Sequence, residues 1–131
     1  MKPFRTLAVP ALLLGALALA PVPALAHHSY AMFDMKKTIT LAGKIIKFKW
    51  QNPHAYIQIE VPVKDSNGTK VERWAIEMTS PNDLAVQGWK RSSLKPGDQV
   101  TIEVHPLRDG GKGGSFTAVK FADGSTLGKW E

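Results

Sequence analysis

Apolar residues alternate along five successive segments, helical periodicity is nearly absent, and the one helical segment falls between the third and fourth of them. This order predicts an all-β protein: a small five-stranded barrel of the OB type with one short helix between strands 3 and 4. Residues 38–50 read as the first strand, with Ile39, Leu41, Gly43 and Ile45 on one face. The pattern then slips, because Ile46, Phe48 and Trp50 carry the opposite parity, and a one-residue slip near a glycine predicts a bulge or bend. A second strand, residues 54–63, places Ala55, Ile57, Ile59 and Val61 against Tyr56, Gln58 and Glu60. The Asp65-Ser66-Asn67-Gly68 segment ends it, and Asn-Gly favours a primed two-residue turn. A third strand at residues 70–78 then sets Ile57 opposite Met78, Ile59 opposite Ile76 and Val61 opposite Trp74, so both apolar sets share a face.

Ser80 is placed to cap a helix that starts at Pro81, carries Asp83 in its first turn and closes at Gly88, with Trp89 as a plug for the core. Residues 99–107 give a fourth strand with Val100, Ile102 and Val104 inward. The glycine-rich stretch 109–114 reads as a flexible connection, residues 115–121 as the fifth strand, and Leu127 and Trp130 lie in a short tail.

Residues 1–26 differ in kind. Lys2 and Arg5 precede an apolar run from residue 7 to 20, Pro21 and Pro23 break it, and Ala24-Leu25-Ala26 supplies a small-residue cleavage site, the pattern of a secretory signal peptide. The run is too short and too proline-flanked to favour a membrane span of about 20 apolar residues. The expected organisation is a cleavable signal at 1–26, an amino-terminal arm at 27–37 and the barrel at 38–131. Cleavage lowers the formal charge from +6 to +4. The chain has no cysteine, so neither a disulfide nor a cysteine nucleophile is available.

Several short pieces stand out when taken together: His27-His28-Ser29, Phe33-Asp34, Asn52-Pro53-His54, Gly88-Trp89, Leu94-Lys95-Pro96-Gly97-Asp98 and His105-Pro106-Leu107-Arg108-Asp109-Gly110. On these the chain resembles the bacterial exported proteins of the DUF6152 family over essentially the whole mature length. The resemblance implies a periplasmic setting and supplies no activity, substrate or catalytic residue.

Two groups of residues are candidate sites. Cleavage after Ala26 exposes His27, whose amine and imidazole can share a metal ion with His28 and a further imidazole, and copper is the candidate cofactor because nitrogen ligands favour it among divalent ions. Antiparallel pairing of strands 1 and 4 brings the arm towards His105, with Met32 or Met35 as soft extra ligands, while His54 is expected at the opposite end of the barrel. Tyr56, Gln58, Arg73 and Glu77 fall on the outer face of strands 2 and 3, where OB folds bind oligonucleotides or oligosaccharides, and Lys44, Lys47 and Lys49 add positive charge beside them. Export favours an anionic saccharide, lipid headgroup or protein partner over nucleic acid, and no stable membrane insertion is expected after cleavage. No G-x-S-x-G, H-E-x-x-H or phosphate-loop spacing occurs. The sequence therefore points to an exported, non-enzymatic binding or accessory module, with copper binding and an anionic or oligosaccharide ligand as the alternatives.

Overall fold

The computed structural model describes residues 1, 3 and 30–130. Its strands are β1 (Ile39–Lys49), β2 (Tyr56–Asp65), β3 (Gly68–Glu77), β4 (Gln99–Pro106), β5 (Gly113–Phe121) and β6 (Thr126–Gly128), with α1 (Pro81–Val86) between β3 and β4. The sheet order is β3-β2-β1-β4-β5-β6, and a parallel β3–β5 pairing closes β1 to β5 into a ring. Five strands in that cyclic order, with the helix after the third, make an OB-like barrel. The Leu127 segment forms a sixth strand on β5 instead of an unpaired tail.

The slip in β1 is a bulge: register against β2 shifts between Ile45 and Lys47. Gly43 sits where the bent strand passes closest to β2, and a Cβ built there would lie 2.0 Å from the Glu60 carbonyl oxygen. Only hydrogen fits, and it lets one strand pair with β4 by its first half and with β2 by its second.

The β2–β3 hairpin forms in a register two residues away from the expected one. Ile57 faces Ile76, Ile59 faces Trp74 and Val61 faces Glu72, with Ser66 and Asn67 at the tip. A shift of two preserves parity, so Trp74 and Ile76 still reach the core. The Asp65 carboxylate accepts the Asn67 amide at 2.8 Å, Asn67 keeps a negative φ, and Gly68 alone takes a positive one, +119°. That local hydrogen bond, an Asx turn, replaces the primed turn that Asn-Gly suggested.

The glycine stretch is also more than a connection. Gly113 and Gly114 are buried strand residues, paired with Ala75 and Ile76 of β3. A Cβ on Gly113 would meet Leu107 Cδ1 at 2.7 Å, and one on Gly114 would meet Val104 Cγ2 at 2.8 Å. These glycines let β5 approach β3 and β4 together, so they serve closure and not slack.

α1 begins as its sequence dictates: Ser80 Oγ accepts the Asp83 amide at 3.2 Å and Pro81 occupies the first turn. Gly88, at φ +91°, turns the chain so that Trp89 enters the core. The core joins Ile45, Ile57, Ile59, Ile76, Ile102, Val104 and Val119 with Leu84 and Trp89.

Candidate functional site at the barrel end

One row of cross-strand neighbours runs around the barrel rim. Tyr56 pairs with Glu77, Glu77 with Ser115, and Ser115 with His105. Above this row opens a cleft of about 610 Å³. His54, Glu77 and His105 line it, as do Ser115 and Thr117 of β5, Lys129, and the apolar Tyr30, Met35, Met78 and Phe116. Its size lies within the range of about 300–1,000 Å³ usual for small-molecule sites.

His54 is held firmly. Its Nδ1 lies 3.0 Å from Glu77 Oε1 and 3.0 Å from the Met78 carbonyl oxygen. Both oxygens accept and neither donates, so Nδ1 carries a proton and Nε2 is the nitrogen left for a ligand. The Tyr56 hydroxyl donates to the same Glu77 carboxylate. Desolvation first, then the Glu77 charge and this hydrogen bond, raise the Tyr56 pKa above its ordinary value of 10.0. Tyr56 is therefore a neutral donor throughout the physiological range. A raised folded-state pKa adds stability below the unfolded value and loses it as pH climbs through the folded one. Glu77→Gln should lower the Tyr56 pKa part of the way, because desolvation remains. Ultraviolet titration of the phenol checks this, and an unchanged midpoint would contradict the assigned bond.

The amino-terminal arm reaches the end of β4, as the antiparallel pairing required. Phe33, only 3% exposed, bridges to Leu107. The Asp34 amide donates to the Pro106 carbonyl at 2.8 Å, and the Arg108 amide to the Met32 carbonyl at 2.9 Å. His105 Nδ1 lies 2.9 Å from the Lys37 carbonyl oxygen, which fixes the proton on that nitrogen too. His105 is buried, and Met35 lines the cleft beside it. His27 and His28 lie outside the described residues. Among the described residues, no three His, Cys, Asp or Glu side chains group to hold a metal.

The position expected for His54 is corrected: it lines the same cleft as His105. Reasoning from the two neighbours of β1 alone puts the start of β2 and the end of β4 at opposite ends. Closure through β3 and β5, with the stagger any barrel requires, brings them to one rim. Of the four face residues, Tyr56 and Glu77 are joined and belong to the rim. Arg73 is exposed and pairs with Glu60, its Nη2 lying 3.3 Å from Oε1. Gln58 is half-buried between Lys47 and Ala75 in register, and Glu77 is half-buried too, so neither points freely to solvent. Ser115, Thr117 and Lys129 were not singled out from sequence, since nothing local marks a β5 residue as lining a cleft that distant strands build.

The class that fold and site define is an OB-like barrel carrying a small-molecule-sized cleft at one end. The model of the "Family of unknown function (DUF6152)" matches residues 16–117, and the chain belongs to that family. Comparison with curated proteins gives no match. Among solved structures, the mitochondrial single-stranded DNA-binding protein Rim1 of S. cerevisiae is similar at 10% identity and a TM-score of 0.49, over 66% of this chain and 93% of that one. Its selenomethionine-labelled form gives 10% identity and a TM-score of 0.46, over 71% and 97%. At that identity nothing about ligand passes from Rim1 to this chain.

Proposed function

We propose that this protein is an exported, non-enzymatic binding module of the periplasm that seats a small ligand in the barrel-end cleft. The observation that carries the reading is the buttressed His54. A carboxylate and a carbonyl fix its Nδ1 proton, a tyrosine holds the carboxylate, and Nε2 is left for a ligand beside Ser115, Thr117 and Lys129. Such an arrangement presets a polar anchor within walls that are otherwise partly apolar. The outer face of β2 and β3 is the weaker seat for an anionic or oligosaccharide ligand, because Arg73 is already paired with Glu60 and Tyr56 with Glu77. Nucleic acid is not the expected partner. Export rests on the charged start, apolar run and Ala24-Leu25-Ala26 of the sequence, and no described helix is long and apolar enough to cross a membrane.

Copper binding is the second reading, favoured by the arm. Tyr30 and Met35 line the cleft together with His54 and His105, and His27 stands three residues ahead of Tyr30. Three residues can span at most about 10 Å, so the length of the tether allows a terminal His27 to reach the cleft.

One experiment tests both readings. Protein recovered from the periplasm should begin at His27 on amino-terminal sequencing, and an intact Met1 would sink export. Native mass spectrometry should then show a small-molecule adduct on wild type that His54→Ala loses, whereas equal spectra would remove the cleft as the ligand seat. A copper adduct abolished by one alanine inserted ahead of His27 would select the second reading.

A further inference from the structure

The β2–β3 hairpin outruns its neighbours. Pairing of β1 with β2 ends at Glu60, and pairing of β5 with β3 begins only at Ala75, so among the described residues no strand flanks either side of the hairpin tip. The two free edges differ. In β2 the Ala55 amide donates to the Thr79 carbonyl, across the hairpin, so by alternation the backbone of Pro62 faces away from β3, and that edge is blunted by a residue with no N–H. In β3 the Ala75 amide donates outward to the Lys112 carbonyl. By the same alternation, the amides and carbonyls of Thr69, Val71 and Arg73 face the open side, with no proline among them.

The side chains along that edge match themselves. Val71 is 59% exposed and is the one large apolar strand residue so exposed among those described. Its partner across the hairpin, Pro62, is exposed on the same outer face. Lys70 and Glu72 flank Val71 on the other face.

We propose that two copies of this chain associate through the open edge of β3, antiparallel about a two-fold axis at Val71. In that register Val71 faces Val71 of the second copy, and because its backbone points outward the pair exchanges both hydrogen bonds. Each Lys70 lies opposite Glu72 of the other copy, on one face and within cross-strand reach. On the other face Pro62, Val71 and their counterparts form one continuous apolar row across four strands. A lysine on an open edge ordinarily discourages pairing; here each Lys70, whose Nζ lies 3.5 Å from Asp65 Oδ2 of its own chain, gains a second carboxylate across the two-fold. Glu72 is ionised for that role, since the hydrogen bond from Lys112 above all holds its carboxyl below the ordinary range. The two-fold also makes the contact self-limiting, because a closed pair leaves no β3 edge for a third copy.

Sedimentation velocity of the purified protein over a concentration series tests this and is expected to show a monomer–dimer equilibrium. Val71→Pro removes the outward amide but no bond to β2, so it should give monomer at every concentration with little change in thermal midpoint. Lys70→Glu, at an exposed position, should weaken dimerisation about tenfold, because two symmetry-related pairs turn from attraction to repulsion. Adding Glu72→Lys to it should restore the dimer. Wild type that stays monomeric throughout, or a dimer untouched by both Val71→Pro and Lys70→Glu, overturns the proposal. Should Val71→Pro fail to fold, Lys70→Glu and its charge-swapped partner decide alone.

Discussion

Trp89→Ala should cost about 3–5 kcal/mol of folding stability, the usual scale for emptying a fully buried aromatic site. Trp89 is 2% exposed and its ring meets Phe116 edge-on at 5.3 Å and Phe48 at 5.8 Å. Its backbone amide donates to the Leu84 carbonyl at 2.9 Å, a bond that the alanine variant keeps, so the loss is that of the ring's packing. Equilibrium denaturation gives the loss directly, and each kcal/mol should lower the thermal midpoint by about 4–8 °C in a domain of this size. Trp89→Phe should cost much less than the alanine change, since Trp89 Nε1 is buried without a partner among the described residues and its removal forfeits no hydrogen bond. A loss of a few tenths for the alanine variant would mean that the barrel end is not plugged by this ring.

Trp74→Ala should cost a similar amount, about 3–5 kcal/mol and nearer the lower figure. Trp74 is 9% exposed, and its outer edge makes contacts that solvent partly reaches: Nε1 donates to Glu72 Oε2 at 3.2 Å, and Lys112 Nζ stands 5.2 Å from the ring centroid. A cation above an exposed ring adds only about 0.5–1 kcal/mol, so most of the loss is cavity. The local signature separates this site from Trp89. Lys112 is tied to β3 by the Ala75 amide bond and by Glu72 at 3.1 Å, so losing the ring should speed hydrogen exchange at Ala75. Global loss without faster exchange there would show that the ring does not hold this loop.

How much of this was legible depends on the range of the interaction. The slip at Ile45 and Ile46, the Ser80 cap and the inward set Val100, Ile102 and Val104 depend on neighbours in sequence, and alternation and capping chemistry reveal them. The hairpin register was half legible. Parity selected the core face for Trp74 and Ile76, but two registers share that parity, and the Asp65 carboxylate that chooses between them acts within the turn. Gly113 and Gly114 misled because glycine serves both slack and close approach, and only Val104, Leu107 and Ala75, brought in from other strands, show which applies. The cleft was the least legible feature. His54 lies just ahead of β2 and His105 lies in β4, strands that are not neighbours in the sheet, and stagger accumulated around the whole ring decides that they share a rim. Phe33 gave no periodic signal at all, since a single anchor residue in an arm has no pattern to belong to.

The arm and the last strand both contribute to the lining of the cleft, with Tyr30 leading the described domain and Gly128 and Lys129 near its close. Both ends of the domain thus open onto the same mouth, which governs how the protein can be handled. An affinity tag or reporter fused at either end is tethered over the cleft at an effective concentration that short linkers put in the millimolar range. Occupancy measured on such a fusion is then a competition between ligand and tag. The β5–β6 turn at Asp123 and Gly124 is exposed, and a Cβ at Gly124 would meet nothing within 4 Å. Epitopes or dyes inserted there leave both ends free and the mouth of the cleft unobstructed.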